Sequence, residues 1–201
     1  PDAVTDSGRP AHSKSLLDLS KATARENVDA LAPRVDDGWD VVSVEPSDAV
    51  MYQEDYLDLL AGEDVEAVAD NSYSVMEYLD TFRLDENFEA EADGMLSYHG
   101  HCHQTAASRD HHAVGVLRRA GYEVDVLDTT CCGMAGSFGY EAEHYSMSQA
   151  IGRMLFDAAD ESPAEEIVAP GTSCRSQLED YEAIHGKPPH PIEKLAAAVS
   201  R

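Results

Sequence analysis

Basic residues are scarce in this sequence: 14 lysines and arginines stand against 39 aspartates and glutamates, for a formal net charge of -25. Only four of the cations are lysines, Lys14, Lys21, Lys187 and Lys194. Such a surface repels a phosphate backbone, so nucleic acid is not an expected partner. The acids are spread along the chain rather than gathered in a tail, which describes a solvated acidic surface of the halophile kind. Screening of that self-repulsion predicts a melting temperature that rises from low to molar salt, and a flat or falling value would contradict it. Also absent is any apolar run near the roughly 20 residues needed to span a bilayer. No charged-then-apolar leader opens the chain, and the expectation is a soluble, cytoplasmic protein. The chain begins at Pro1 in a polar stretch without methionine, and is expected to be a domain of something longer. It has no dinucleotide fingerprint, no flavin motif and no evident acid–base pair, so alone it is not expected to oxidise a substrate. Tryptophan occurs once, at Trp39, where packing in the core is expected.

Cysteine is sparse too, four in 201 residues, but its placement is regular. Hydrophobic residues make up 43%, enough for a globular core, and the length fits one domain or two small fused units. Periodicity gives a helix carrying Leu17, Ala24, Val28 and Leu31 ahead of Pro33, a short strand over 41–44, and helices over 52–60 and 75–82. The acidic segment 85–93 reads as a linker. Beyond it come a strand at 95–99, one helix with Ala106, Ala113, Leu117 and Ala120 on a face, and a strand at 123–127. A glycine-rich loop over 131–139, a helix with Met147, Ile151 and Leu155, a strand at 166–169 and a last helix near Cys174 follow. This βα alternation predicts an α/β fold of two related βα units, with a mostly parallel sheet flanked by helices and sites at the carboxyl ends of strands. Cys102, the vicinal pair Cys131-Cys132 and Cys174 each fall where a strand gives way to a loop or helix. Soft ligands are thereby gathered at one sheet end. Adjacent cysteines bond poorly to each other, so thiolates for a metal are the better reading than disulfides.

The halves also overlay. Val42-Ser43-Val44-Glu45-Pro46-Ser47-Asp48 runs like Val168-Ala169-Pro170-Gly171-Thr172-Ser173-Cys174, and Glu54-Asp55-Tyr56 recurs as Glu179-Asp180-Tyr181. In that alignment Asp48 corresponds to Cys174, and Asp6-Ser7-Gly8 to Cys131-Cys132-Gly133. The first copy keeps the frame without the thiols.

Cys131-Cys132-Gly133-Met134-Ala135-Gly136-Ser137-Phe138-Gly139-Tyr140, preceded by Tyr98-His99-Gly100-His101-Cys102-His103-Gln104 and followed by Gly171-Thr172-Ser173-Cys174-Arg175, resembles the cysteine-rich CCG domain. That domain occurs in the cysteine-rich component of heterodisulfide reductase, in the iron–sulfur subunits of glycolate oxidase and anaerobic glycerol-3-phosphate dehydrogenase, and at the end of FAD-linked oxidases. The resemblance divides the chain into a degenerate first repeat at 1–84, a linker at 85–94 and a second repeat with the cysteine site at 95–201. It implies metal ligation by Cys102, Cys131, Cys132 and Cys174. The family's final CxxC stands here as Cys174-Arg175-Ser176-Gln177, one thiol short, and the first copy has Asp6, Ser7 and Asp48, which leaves one candidate centre.

Four thiolates suit an ordinary four-iron cluster or a tetrahedral zinc site. Around them, Gly133 gives the loop backbone freedom to turn amides toward sulfur, and Arg175 adds positive charge. His99, His101 and His103 alternate about Cys102; His101 and His103 are expected to support the ligands by hydrogen bonds. The resemblance implies an iron–sulfur electron-transfer domain of a flavin-dependent 2-hydroxyacid or glycerol-3-phosphate dehydrogenase. Its partners would be flavin-containing and ferredoxin-like domains and a quinone or other acceptor, with FAD held elsewhere and membrane association through a partner. The alternatives are a zinc-binding docking domain and a thiol–disulfide reductase acting through the vicinal pair.

Overall fold

The computed structural model describes residues 4, 6–129, 131–181 and 186–199. They form two compact units that divide between Val75 and Met76. Among the described residues no helix is long and apolar enough to cross a membrane.

The first unit opens with a short helix α1 (Arg9–Ser13) and the long α2 (Leu17–Asp36), followed by β1 (Val41–Ser43). Then come α3 (Pro46–Val50), a π-type turn at Met51–Asp55, α4 (Tyr56–Leu59), α5 (Glu63–Asp70) and β2 (Ser72–Ser74). β1 and β2 pair in parallel, Val42 opposite Tyr73. The core joins Ala24, Val28 and Leu31 of α2 to Met51, Tyr52, Tyr56, Val65 and Val68. α2 runs through Pro33, where the sequence pattern places its end. The ring costs little there, because only the last turn lacks its N–H, and Asp37 N–H still donates to the Pro33 carbonyl at 3.3 Å. Trp39 is 69% exposed rather than packed in the core: Gly38, at φ +88°, turns the chain out of α2 and leaves the indole on the surface. Ser7 Oγ donates to Asp48 Oδ1 at 2.5 Å, so residues distant in sequence meet at the carboxyl end of β1.

The second unit starts within α6 (Val75–Thr81) and contains a 3₁₀ turn at Leu84–Asn87, β3 (Met95–Tyr98), α7 (Cys102–Ala106), α8 (His111–Arg119) and β4 (Glu123–Val126). After a 3₁₀ turn at Phe138–Tyr140 come α9 (Tyr145–Glu161), β5 (Glu166–Val168), α10 (Thr172–Glu179) and α11 (Pro191–Val199). The sheet has the order β4-β3-β5, all parallel, with Tyr98 opposite both Val126 and Val168. The architecture is α/β, as the alternation of patterns predicts. The acidic segment after residue 84 lies inside this unit: Asp85 is buried and accepts from Arg119 Nε at 2.6 Å, and Ala92 N–H donates to the Ala120 carbonyl at 2.9 Å.

Two helices differ from the periodic reading. The helix expected across Ala106 and Ala113 is α7 and α8, broken where Ser108 takes φ +57° and Arg109 N–H caps back onto the Gln104 carbonyl at 2.8 Å. The break lets Arg109 pair with the buried Glu77. On α9 the buried positions are Ser148, Gly152 and Leu155, whereas Met147 is 57% exposed. Small residues face inward because the chain passes very close there. A Cβ at Gly152 would lie 2.0 Å from Gln177 Nε2, and Gln177 Nε2 donates to the Ser148 carbonyl at 3.4 Å. α9 and α10 are thereby fixed side by side under the cysteine loop.

Candidate metal centre

Three parallel strands end at one edge, and the chain leaving each of them delivers a cysteine. Cys102 is the first residue of α7 after β3, Cys131 and Cys132 lie in the loop after β4, and Cys174 sits in the first turn of α10 after β5. Their burial differs: Cys132 and Cys174 are 3% and 2% exposed and belong to the core with Leu127, Met134, Leu155, Ile167 and Leu178, while Cys102 and Cys131 are half-buried.

The four sulfurs form one electrostatically coupled row, Cys102 to Cys131 to Cys132 to Cys174, each influencing the next. Their protons divide unevenly. The thiol of Cys102, with help from Cys132 and the Gly133 N–H, pulls the Cys131 pKa down to about 2. Cys174 is lowered well below the usual thiol range, first by its interaction with Cys132 and then, against the opposing effect of burial, by the nearby imidazoles of His99 and His101. Cys102 is raised by its bond to Cys131 and by burial; Cys132, between the two anions, is raised by both of them. Negative charge is thus favoured on Cys131 and Cys174, and protons on Cys102 and Cys132. A soft cation replaces the two remaining protons, which is the behaviour expected of a thiolate metal site. The donor set fits a soft transition metal.

Cys131 should show its charge directly. Its thiolate fraction is constant at every pH well above 2, so iodoacetamide alkylation of the metal-free protein is expected to change less than about twofold between pH 5 and pH 8, read residue by residue by mass spectrometry. A rate rising close to tenfold per pH unit, as for a free thiol of pKa about 8.5, would contradict this proton arrangement.

The loop glycine has a steric task. Gly133 sits at φ +94°, its N–H donates to Cys131 Sγ at 3.3 Å, and a Cβ there would come 2.3 Å from the Ser148 carbonyl of α9. Gly171, before Cys174, is crowded by the His101 ring, with a would-be Cβ 2.4 Å from Cδ2. His101 caps α7, its Nδ1 accepting from His103 N–H at 3.3 Å, and the two rings meet edge to face at 5.1 Å. Arg175 is turned elsewhere: Nε donates to the Pro188 carbonyl at 2.6 Å and Nη2 to Glu193 at 3.2 Å. The positive influence on Cys174 comes from His99 and His101 instead.

His99, outside the candidate set, is the histidine the structure brings to the cysteines. A ring nitrogen of His99 and the sulfurs of Cys132 and Cys174 lie within 4.8 Å of one another. The alternation of His99, His101 and His103 contained it, but the extended conformation stops at His101, where α7 begins. His103, one helical step past Cys102, no longer shares the face of His99. A second grouping, Asp80 with His111 and His112, has its carboxylate already engaged by Arg119 and by His112 Nδ1.

Residues 89–179, which contain all four cysteines, match the family model for the CCG cysteine-rich domain. This segment is a CCG domain. The chain is 38% identical over 104 residues to a component of the anaerobic glycerol-3-phosphate dehydrogenase of Escherichia coli K12, an alignment spanning 51% of this chain and 26% of that protein. It is 27% identical over 191 residues to D-2-hydroxyglutarate dehydrogenase of the same organism, covering 94% of this chain and 18% of the relative. Lactate utilization protein A of Macrococcus caseolyticus is 23% identical over 205 residues, with 92% and 80% covered. The chain thus spans about a quarter or less of the two Escherichia coli relatives. No solved structure matches it.

Proposed function

We propose that this chain is the iron–sulfur electron-transfer domain of a flavin-dependent dehydrogenase acting on a 2-hydroxyacid or on glycerol-3-phosphate, with Cys102, Cys131, Cys132 and Cys174 holding one four-iron cluster. The observation that carries the reading is the gathering of four cysteines at one edge of a parallel sheet, in a segment akin to named dehydrogenases. When bound, such a cluster accepts and gives single electrons, here between FAD in a flavin-containing domain and a quinone or other acceptor. The chain's own contributions are local. Burial of Cys132 and Cys174 keeps water from half of the site, and the Gly133 N–H stabilises negative charge on Cys131 sulfur. The half-buried side at Cys102 and Cys131 is where a ferredoxin-like or flavin domain would approach. The setting that follows is the cytoplasm of a halophile, at the inner face of the membrane when a partner is anchored there.

In the same reading the two units are copies of one βα frame, the first degenerate. Ser7 and Asp48, which align with Cys132 and Cys174, meet in a hydrogen bond just as those two thiols do. Gly8 and Gly133, also aligned, share positive φ, at +80° and +94°, and each backs onto the carbonyl of a buried serine, Ser20 and Ser148. A hydroxyl–carboxylate bond thus replaces a ligand pair, and the first copy stays closed without metal.

A zinc docking domain is the second reading, favoured by the compact grouping of His99, Cys132 and Cys174, which with Cys131 makes a Cys₃His donor set. Redox cycling separates the two. Dithionite is expected to bleach the visible absorption of protein purified without oxygen, and a quinone analogue to restore it. Colourless protein that stays unchanged through the cycle would transfer the domain to the zinc class.

A further inference from the structure

His99 stands just past β3 and outside the cysteine motif, yet it is the most enclosed polar group at the site, 1% exposed. Its N–H donates to the Val168 carbonyl at 3.0 Å, which carries the β3–β5 ladder one residue beyond the strand and fixes the backbone from which the ring projects. Nδ1 lies 2.8 Å from Thr129 Oγ1, on the loop that leads from β4 to the vicinal cysteines. That nitrogen is satisfied. Nε2 is buried and meets no partner at hydrogen-bonding geometry, although the ring acts electrostatically on Cys174. A buried ring nitrogen without a partner is costly and calls for a ligand. The sulfurs of Cys132 and Cys174 lie within 4.8 Å of a ring nitrogen of His99 and of each other.

An imidazole held at one nitrogen by a hydroxyl, with the other aimed among thiols, is the arrangement that metal-binding histidines adopt. Neither His101 nor His103 has it. His101 spends Nδ1 on capping α7, and His103 lies beyond the start of that helix.

We infer that His99 is an additional ligand of the iron centre through Nε2, with Thr129 fixing the ring, so that the iron at the buried end carries a nitrogen donor besides its cysteine sulfur. This rests on the reading that the site holds iron. A neutral imidazole brings less negative charge to iron than the thiolate that His99→Cys would put in its place, so the imidazole holds the centre at the higher potential of the two. The orientation of the site follows: Cys102 and Cys131 at the accessible end, and the imidazole beside Cys132 and Cys174 at the sealed end.

The test uses the full chain produced with isotope-labelled histidine, loaded without oxygen, reduced and measured by pulsed EPR. The expected result is strong coupling to one histidine nitrogen, lost in His99→Cys while iron per chain is retained, with the reduction potential of that variant shifted downward. The measurement on the unsubstituted chain stands alone should the variant fail to load. An iron-loaded centre without a strongly coupled histidine nitrogen would overturn the inference and leave the electron-transfer reading intact. So would coupling that persists in His99→Cys. A chain that takes up no iron overturns both, and the iron count tells that failure from the others.

Discussion

Cys174→Ser empties the centre: iron is expected to fall from about four per chain, the content of a four-iron cluster, to less than about one, and the visible absorption to go with it. Cys174 is the anchor of the buried end. It is 2% exposed, held as an anion by Cys132 and His99, and fixed by a helix whose packing is locked through Gln177 and Gly152. Serine keeps the shape but offers a hard hydroxyl that stays protonated, so the site loses a charge as well as a soft donor. Far-ultraviolet circular dichroism on the same sample separates a lost ligand from a lost fold. Full iron content in a folded Cys174→Ser chain would remove Cys174 from the ligand set.

The second large effect is steric. Gly133→Ala is expected to cost about 2–4 kcal/mol in urea unfolding, combining the penalty of a side chain at positive φ with overpacking against α9. The methyl group would sit 2.3 Å from the Ser148 carbonyl, a backbone atom that cannot step aside without moving the helix. Gly136 supplies the control within the same loop: its φ is +68°, but nothing lies within 4 Å of its would-be Cβ. Gly136→Ala should therefore show only the conformational part, about 1–2 kcal/mol. Equal losses at the two positions would mean that the close approach of loop and helix contributes nothing.

The position of the cysteines was legible in the sequence because a parallel α/β sheet collects strand ends, and short apolar segments followed by cysteines mark those ends. β3, β4 and β5 and all four cysteines could be placed on that basis. β2 was not legible, since Ser72-Tyr73-Ser74 carries no apolar alternation and is identified as a strand only by pairing with β1. α5 escaped for another reason: Val65, Val68 and Ala69 have helical spacing, but they lie in a run of acids that dominates the composition. The break between α7 and α8 depends on a left-handed Ser108 and a tertiary ion pair, neither of which leaves a periodic trace. The same break determines which histidine meets the cysteines. An alternating His99-Gly100-His101-Cys102-His103 string points to three equivalent rings, and the helix starting at Cys102 makes them unequal. Arg175 shows the converse limit: adjacency in sequence to Cys174 suggests a charge partner, whereas the guanidinium turns to Pro188 and Glu193.

The central claim is that Cys102, Cys131, Cys132 and Cys174 build a single iron–sulfur centre. Metal and acid-labile sulfide analysis of the chain, purified without oxygen and in high salt, with an EPR spectrum after reduction, tests it most directly. The account predicts about four irons and a matching amount of sulfide per chain, with an EPR signal from the reduced cluster. About one zinc per chain, with no iron and no sulfide, in protein never exposed to air, would contradict it.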